Sequence, residues 1–398
     1  MVQDVRGLNR SEVLAALMMH RPATRKQIAE VAGLSPATVT RVVEQLAADG
    51  VVREVEEVVV DSPGRRAILL DMVAEMTVAI GVDVGASNTR LIATDLLATP
   101  LASMQVPTPT NVNSEQLAKW VAERARELVG PRWDHVAAVA IGLPGAVNVL
   151  DQTVSNAPNL PQIEDTSFLK TCEGAMGVSF TADNDANLAL MGEMRFGAAR
   201  MSREAAHLSL GAGLGAGVAI GGVIHRGRHG LVGEFGQIPI GSSGRRLEDS
   251  TTGPGIMRRA ADSGVDIDSP ADIFSIHATP AEQVLRAEFD MALVTTLAAI
   301  AVACEPEIVV LGGGIMKSLP VDLSYYQNQL ENVLRLAPSL VHAELGDFSG
   351  AAGGVVSALR MAYEHLGIPV SALSELPRSE NLTLEKIQAV LSPVHHHL

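Results

Sequence analysis

The sequence predicts an α/β protein with a small N-terminal domain and a larger two-lobed body. Three patterns predict it: residues 1–76 read as three helices and a β-hairpin, two glycine-rich turns each join apolar β-rich runs, and a third glycine cluster follows another such run. The chain has 398 residues, 47% hydrophobic but only 3% aromatic. Its cores must therefore be built from aliphatic side chains, in two or three domains.

The net charge is −15, and residues 1–76 carry 9 basic and 11 acidic side chains. This balance excludes nonspecific nucleic-acid binding by the whole surface, so any DNA contact must come from a local patch. The two cysteines lie far apart in sequence, and the N-terminus lacks the layout of a signal peptide. No run reaches the ~18 uncharged apolar residues of a membrane span. We expect a cytoplasmic protein without a membrane partner.

Residues 9–20, 24–32 and 35–49 show helical apolar spacing. Gly33 lies in the short turn between the second and third segments, which is typical of a helix-turn-helix. In the third segment Ser35 is a good N-cap and proline follows it. The face predicted to be buried consists of Val39, Val42, Val43 and Leu46.

Two β-rich runs follow, separated by a turn at Pro63 and Gly64, so the segment reads as a winged helix-turn-helix. In such domains the second helix of the motif enters the major groove, and the wing reaches the backbone or the minor groove. A protein-interaction module would also have a polar face and is the alternative. The candidate DNA-binding residues are Arg25, Lys26, Ser35, Thr38, Thr40, Arg41, Arg65 and Arg66.

Glycine-rich turns that bring backbone N–H groups close to a phosphate occur at 83–89 and 210–217, with a Gly-Gly-Gly turn at 312–314. Two phosphate-type hairpins in separate halves, plus a strand ending in glycines, form the layout of a two-lobed nucleotide-binding fold of the actin and sugar-kinase type. The candidate phosphate- or nucleotide-binding residues are Asp83, Gly85, Ser87, Gly211, Gly213 and Gly313.

Carboxylates in the body suggest contacts to hydroxyl groups. A predicted strand delivers Asn184 and Asp185 to the start of a helix, where an Asp can accept the proton of a sugar hydroxyl or merely cap the helix. Glu234 and Glu248 flank a turn-rich loop, where they can bind sugar hydroxyls or be solvated loop charges.

Seven motifs together resemble the ROK family (repressors, open reading frames and kinases) over nearly the whole chain. They are DVGASNT (83–89), GLPG (142–145), NAPNLP (156–161), ADNDAN (182–187), LGAGLGAG (210–217), HGLVGEFGQ (229–237) and LGGGI (311–315). The resemblance implies a winged helix-turn-helix at 1–76 and a ribonuclease H-like body. The body would comprise an N-terminal lobe at 77–195 and a C-terminal lobe at 196–398 that ends in a helical tail.

The resemblance also implies roles. Asn159, Asn184, Asp185, Glu234 and Glu248 match sugar-contacting positions, Asp185 matches the catalytic base of the kinases, and the glycine turns match the ATP site. An N-terminal winged helix marks the regulator branch. We therefore expect a sugar-responsive transcriptional regulator, a repressor, that binds operator DNA as a homodimer or a dimer of dimers and takes a sugar or sugar phosphate as effector. The alternative is an ATP-dependent sugar kinase or a bifunctional protein.

Departures from the family pattern limit these expectations. Gln237 stands where the family usually has His, and no Cys lies between Cys172 and Cys304. A neutral amide without thiolates is a poor zinc site, so we expect no metal and no cofactor, with ATP and Mg²⁺ needed only by a kinase. Gln237 can still hydrogen-bond a sugar hydroxyl. Ala212 replaces a Thr whose hydroxyl would face a phosphate, so we rank enzymatic activity below regulation.

Overall fold

A computed structural model describes residues 5–59, 66–148, 151–241, 244–319, 323–368 and 376–392. The N-terminal domain contains helices α1 (Val5–His20), α2 (Arg25–Ala32) and α3 (Pro36–Ala48). Its three-stranded sheet has the order β1-β3-β2, with strands β1 (Ala23–Thr24), β2 (Val52–Val59) and β3 (Arg66–Met72). The predicted winged helix-turn-helix is confirmed, and the predicted turn at residues 63–64 lies outside the described residues.

Local signals set these helices. Gly33 ends α2 in the left-handed conformation at φ 64°, and the Ser35 side chain caps α3 by accepting a hydrogen bond from the Thr38 N–H. Val39 and Leu46 are fully buried. Val42 is only half-buried, unlike the prediction, because it lies at the edge of the apolar face.

The first lobe contains a five-stranded sheet in the order β10-β7-β4-β5-β6. Strands β4 and β5 form an antiparallel hairpin, whereas β7 and β10 run parallel to β4. Two shorter strands, β8 and β9, pair beside it. The strands are β4 (Val78–Val84), β5 (Asn88–Thr94), β6 (Pro100–Pro107), β7 (Val136–Leu143), β8 (Ala146–Asn148), β9 (Thr153–Ser155) and β10 (Ser179–Asn184). The helices are α4 (Ser114–Val129), α5 (Phe168–Met176) and α6 (Asp185–Phe196).

The second lobe contains another five-stranded sheet, in the order β13-β12-β11-β16-β17. A small hairpin, β14 with β15, and four helices complete it. The strands are β11 (Ala205–Leu210), β12 (Leu214–Ile220), β13 (Val223–Ile224), β14 (Pro239–Ile240), β15 (Arg245–Arg246), β16 (Ile308–Gly312) and β17 (Ser339–His342). The helices are α7 (Glu248–Thr251), α8 (Gly253–Asp262), α9 (Pro280–Cys304) and α10 (Ser324–Val333).

By length and composition, α9 could cross a membrane. Core helices of soluble proteins meet the same criterion. In this chain Phe289, Leu293 and Leu297 of α9 are fully buried in the core of the second lobe. We therefore interpret α9 as a core helix.

Helix α11 (Ser349–His365) comes late in the chain but packs on the first lobe, against α6, β4 and β7. Glycines permit the close approach. A Cβ on Gly81 would lie 2.0 Å from the Ala351 carbonyl oxygen, and one on Gly353 would lie 1.8 Å from that of Leu188. The first lobe is thus built from two separate stretches of chain, and the predicted boundary at residue 195 does not include this return.

The C-terminal segment, 376–392, with helix α12 (Leu384–Ala389), also packs on the first lobe. Ser103 Oγ donates to the Ile387 carbonyl oxygen at 2.7 Å, and Asn381 Nδ2 donates to that of Leu97 at 2.7 Å. Arg378 reaches the N-terminal domain and donates to the Met19 carbonyl oxygen at 2.8 Å. One hydrophobic core joins α1, α11 and this segment, so the winged helix-turn-helix is packed on the body.

Truncating Ile387 tests this packing. The side chain is fully buried, so Ile387→Ala should lower the free energy of unfolding by about 2–5 kcal/mol. Leu391→Ala, at a side chain 42% exposed, should have a much smaller effect. Urea unfolding measures the free energy of unfolding of both variants. Equal losses would show that Ile387 contributes no more to the core than an exposed side chain does.

Candidate functional site

A cavity of about 460 Å³ lies between the two lobes. All the candidate sugar- and phosphate-binding residues line it, although they come from distant parts of the sequence. They are Asp83, Gly85, Ser87, Asn159, Asn184, Asp185, Gly211, Gly213, Glu234, Gln237, Glu248 and Gly313. The structure brings them together, and their individual ligand contacts stay predictions.

All three glycine turns line this cavity. The Gly85 N–H donates to the Asn88 carbonyl oxygen at 3.0 Å, and the Gly211 N–H donates to that of Gly213 at 3.0 Å. Gly313 has φ 92°, and a Cβ there would lie 2.3 Å from the Leu210 carbonyl oxygen, so only glycine fits. Turns without side chains leave room for a phosphate against the backbone.

Other side chains and turns line the cavity without a signal that the sequence motifs supplied, among them Arg90, Ser209 and Gly253. Gly253 opens α8, whose N-cap is Thr252, and its N–H donates to the Gly211 carbonyl oxygen at 2.9 Å. The run Thr-Thr-Gly-Pro-Gly at 251–255 is an N-terminal helix signal that could have indicated this position.

Asp185 is the first residue of α6, but the cap is its neighbour. The Asn184 side chain accepts a hydrogen bond from the Asn187 N–H at 3.0 Å, and its Nδ2 donates to the Gly145 carbonyl oxygen at 2.9 Å. Asp185 Oδ1 accepts from the adjacent Ala186 N–H at 2.7 Å, and the backbone N–H of Asp185 itself also bonds to this carboxylate. The carboxylate of Asp185 therefore faces the cavity and is available to a ligand.

The carboxylates of this cavity are poorly compensated. Burial, and then the charges of Asp83 and Glu234, raise the pKa of Asp185 to about 8. Burial and the neighbouring Glu248 raise the pKa of Glu234 to about 7. Burial raises the pKa of Asp83 to about 6, opposed by the charge of Arg90. Near neutral pH these groups share protons and can both donate to and accept from hydroxyl groups.

Asp185→Asn should therefore change how stability depends on pH. An unfolded Asp has a pKa near 3.9, so between about pH 4 and 8 the folded chain holds a proton at Asp185 that the unfolded chain has lost. The native protein should lose stability relative to the Asn variant across this window as pH rises. The melting temperature of the Asn variant minus that of the native protein should be several degrees larger at pH 8 than at pH 5. Asp134→Asn, at an exposed site, is the control. If the difference between native protein and the Asp185→Asn variant were the same at pH 5 and pH 8, the pKa of Asp185 would not be raised.

Gln237 lies among hydrogen-bonding side chains rather than metal ligands. Its Nε2 donates to Glu248 Oε1 at 3.3 Å, and its Oε1 accepts from the Arg246 guanidinium. A guanidinium and an amide do not fit the zinc ion that the family resemblance implies. Within the described ranges, no cluster of three or more His, Cys, Asp or Glu side chains could hold a metal. Arg246 joins Gln237 to Asp249: its guanidinium donates to Gln237, and its backbone N–H donates to Asp249 Oδ2 at 2.8 Å.

The candidate DNA-binding residues differ in what they are free to contact. Thr40 Oγ1 donates to the Pro36 carbonyl oxygen at 2.9 Å, so this hydroxyl is bonded within its own helix. The Ser35 hydroxyl is used as the N-cap of the same helix. The Arg25 guanidinium donates to Glu54 Oε1 at 3.1 Å.

Two further candidates are exposed cations. Lys26 is exposed and lies 3.8 Å from Glu30. Arg41 is exposed on α3, and in the part of the chain that the structure describes it has no ion pair. Thr38 lies at the N-terminus of the same helix. Arg65 and the side chain of Arg66 lie outside the described residues.

Comparisons with known proteins agree with this architecture. The ROK family profile matches residues 79–360, and a winged helix-turn-helix DNA-binding profile matches residues 9–53. The chain is 28% identical over 239 residues to a putative xylose repressor of Caldicellulosiruptor sp., covering 59% of each chain. It is 28% identical over 252 residues to the transcriptional dual regulator NagC of Escherichia coli, covering 62% of this chain and 60% of that one. The matches thus span about three fifths of these relatives.

The fold also occurs in a crystal structure of a ROK family transcriptional regulator, a homologue of the E. coli MLC protein. The TM-score is 0.69 at 19% identity, covering 93% of this chain and 99% of that chain, which shows a shared fold. The family profile covers well over half of the present sequence. The chain belongs to the ROK family and carries an N-terminal winged helix-turn-helix.

Proposed function

We propose that this protein is a sugar-responsive transcriptional regulator that represses its target genes. One observation carries the proposal: two helices that begin at the cavity end in the hydrophobic core that includes α1 of the DNA-binding domain. Helix α6 begins at Asp185 in the cavity and ends at Phe196 in the core shared with α1. Helix α11 begins beside Asp83, and just beyond its end the Gly367 carbonyl oxygen accepts a hydrogen bond from Ser11 of α1.

In this mechanism a sugar or sugar phosphate draws the lobes together around Asp185, Glu234 and Glu248. Movement of α6 and α11 then changes the positions of the winged helices on operator DNA. A ligand shifts such an equilibrium only through its different affinities for the two states, so a switch of ~1–3 kcal/mol requires a preference of roughly 5- to 150-fold. The names of the two relatives, a xylose repressor and NagC, support regulation.

The proposal includes a cytoplasmic protein that acts as a homodimer or a dimer of dimers, because paired winged helices match the half-sites of a palindromic operator. Thermal unfolding against a panel of sugars, sugar phosphates and ATP tests the effector site, since a tight ligand raises the melting temperature. A shift with one sugar, followed by a change in operator affinity with that sugar, would support regulation. A sugar that binds without changing operator affinity would contradict it.

Sugar kinase activity is the second candidate, favoured because Asp185 shares one cavity with the glycine turns. Such a kinase should convert ATP to ADP only with sugar present, because the γ-phosphoryl group passes to a sugar hydroxyl whose proton Asp185 accepts. The rate should rise with pH toward 8 as Asp185 loses its own proton. Asp185→Asn should then abolish turnover. Native protein without sugar-dependent ATP turnover would eliminate this candidate. Ala212, which lacks a hydroxyl at the second glycine turn, argues for the regulator.

A further inference from the structure

A second cavity, of about 420 Å³, lies apart from the sugar cleft. First-lobe strands β7, β8 and β10 and helices α6 and α11 form most of its wall. The remaining wall is the segment 226–230, which follows β13 of the second lobe. The cavity therefore spans the two lobes, as the sugar cleft does, but has no lining residue in common with it.

Positive charge dominates this second cavity, although the chain as a whole is acidic. Arg226, Arg228 and Arg360 line it together with a single carboxylate, that of Asp183. Arg226 already neutralises that carboxylate: its Nε and Nη2 donate to Asp183 Oδ2 at 2.9 and 2.6 Å. Asp183 is only 6% exposed, and its Oδ1 accepts from the Asn184 N–H at 2.8 Å.

The other two guanidinium groups are uncompensated. Arg228 and Arg360 are exposed, and no carboxylate of the described residues forms an ion pair with either. Burial and the charge of Arg360 lower the pKa of Arg195. Exposed arginines that line one cavity attract phosphate or carboxylate groups, which they can bind with paired hydrogen bonds.

The inner wall is apolar. Leu188 and Met191 of α6, Met361 of α11 and Ala140 of β7 line this part of the cavity. Its volume is within the range of small-molecule sites, which combine an apolar lining with a few placed polar groups. An occupant would thus have an anionic group at the rim and an apolar body against the methionines.

We propose that this cavity is a second effector site, which binds a small organic anion: a phosphate ester or a carboxylate on an apolar body. Arg228 and Arg360 hold the anionic group. Arg226, which is bound to Asp183, forms another side of the site. This inference goes beyond sugar sensing because it adds a second ligand with its own residues.

The site is placed to alter the sugar cleft. Asp183 lies two residues before Asp185, and the segment 226–230 ends four residues before Glu234. Gly230 has φ 76°, and a Cβ there would lie 2.6 Å from the Val147 carbonyl oxygen, so this segment lies tightly against the first lobe. An anion that fixes the segment on the first lobe changes how the lobes close, and therefore changes sugar affinity.

Calorimetric titration at constant ionic strength tests the proposal with three probes: phenyl phosphate, benzoate and, as a neutral control, benzyl alcohol. The test variant is Arg228→Gln with Arg360→Gln, and the matched control is Arg335→Gln, an exposed arginine of the second lobe. We expect at least one anion to bind the native protein and the control. The double variant should bind it tenfold or more weakly, because charged hydrogen bonds are lost. Comparing phenyl phosphate with benzoate shows which anionic group the site prefers.

The double variant should keep the native circular dichroism spectrum and the native melting temperature without ligand, which shows that its fold is intact. Unchanged anion affinity in the double variant would overturn the proposal, since Arg228 and Arg360 would then not hold the anion. Failure of both anions to bind the native protein, or equal binding of benzyl alcohol, would overturn it too. None of these results depends on operator binding, so the proposed function can fail separately.

Discussion

Arg41→Ala is expected to weaken operator binding by roughly 5- to 150-fold and to leave sugar affinity unchanged. Arg41 is exposed on α3, the helix that enters the major groove in this class of domain, and it has no ion pair within the described ranges. A single arginine contact to a base edge or a phosphate contributes about 1–3 kcal/mol.

Fluorescence anisotropy with a labelled operator at several salt concentrations measures this effect. Arg132→Ala removes an exposed arginine from the first lobe and should change operator affinity less than twofold. If Arg41 contacts a phosphate, the slope of log affinity against log salt concentration should become shallower by about one, because about one fewer counterion is released on binding. If it contacts a base, discrimination between operator sequences should fall instead. Unchanged affinity at every salt concentration would remove Arg41 from the interface and favour a protein-interaction module.

Elements with short-range signals were predictable from sequence. The Ser35 cap, the Gly33 terminator and the glycine turns at Gly85 and Gly211 each need only a few neighbouring residues to specify their conformation. The motif glycines and carboxylates of both lobes converge on one cavity because most of them lie near the end of a sheet strand or at the start of a helix. This part of the site therefore followed from the motifs.

Long-range packing was not predictable in the same way. Nothing near α11 indicates that it returns to β4, and the contact of Gly81 with Ala351 joins positions 270 residues apart. The hydrogen bonds from Ser103 to α12 and the second cavity around Arg360 also depend on distant segments. The hydroxyl of Thr40 looked available for DNA contact in the sequence, but it bonds within its own helix, because a threonine can reach the carbonyl four residues earlier.

Glu234→Gln should weaken sugar binding tenfold or more and remove the effect of sugar on operator affinity. The substitution keeps the shape of the side chain but replaces a carboxylate, a strong acceptor for hydroxyl groups, by a neutral amide. Operator affinity without sugar should stay within twofold of the native value, because Glu234 lies in the cleft between the lobes and not on α3. Glu123→Gln, at an exposed carboxylate of α4, is the matched control.

The pH dependence separates a direct contact from a general effect on the fold. Burial, with Glu248, raises the pKa of Glu234 to about 7, so native sugar affinity should rise with pH as this proton leaves. The Gln variant has no such proton, and the part of the rise near pH 7 should disappear from its titration. Since Asp185 titrates about one unit higher, a rise toward pH 8 should remain in both proteins. If native and variant affinities followed the same curve through pH 7, Glu234 would not be the sugar-binding carboxylate, and the ligand would be held from the side of Asp185 and Asn159.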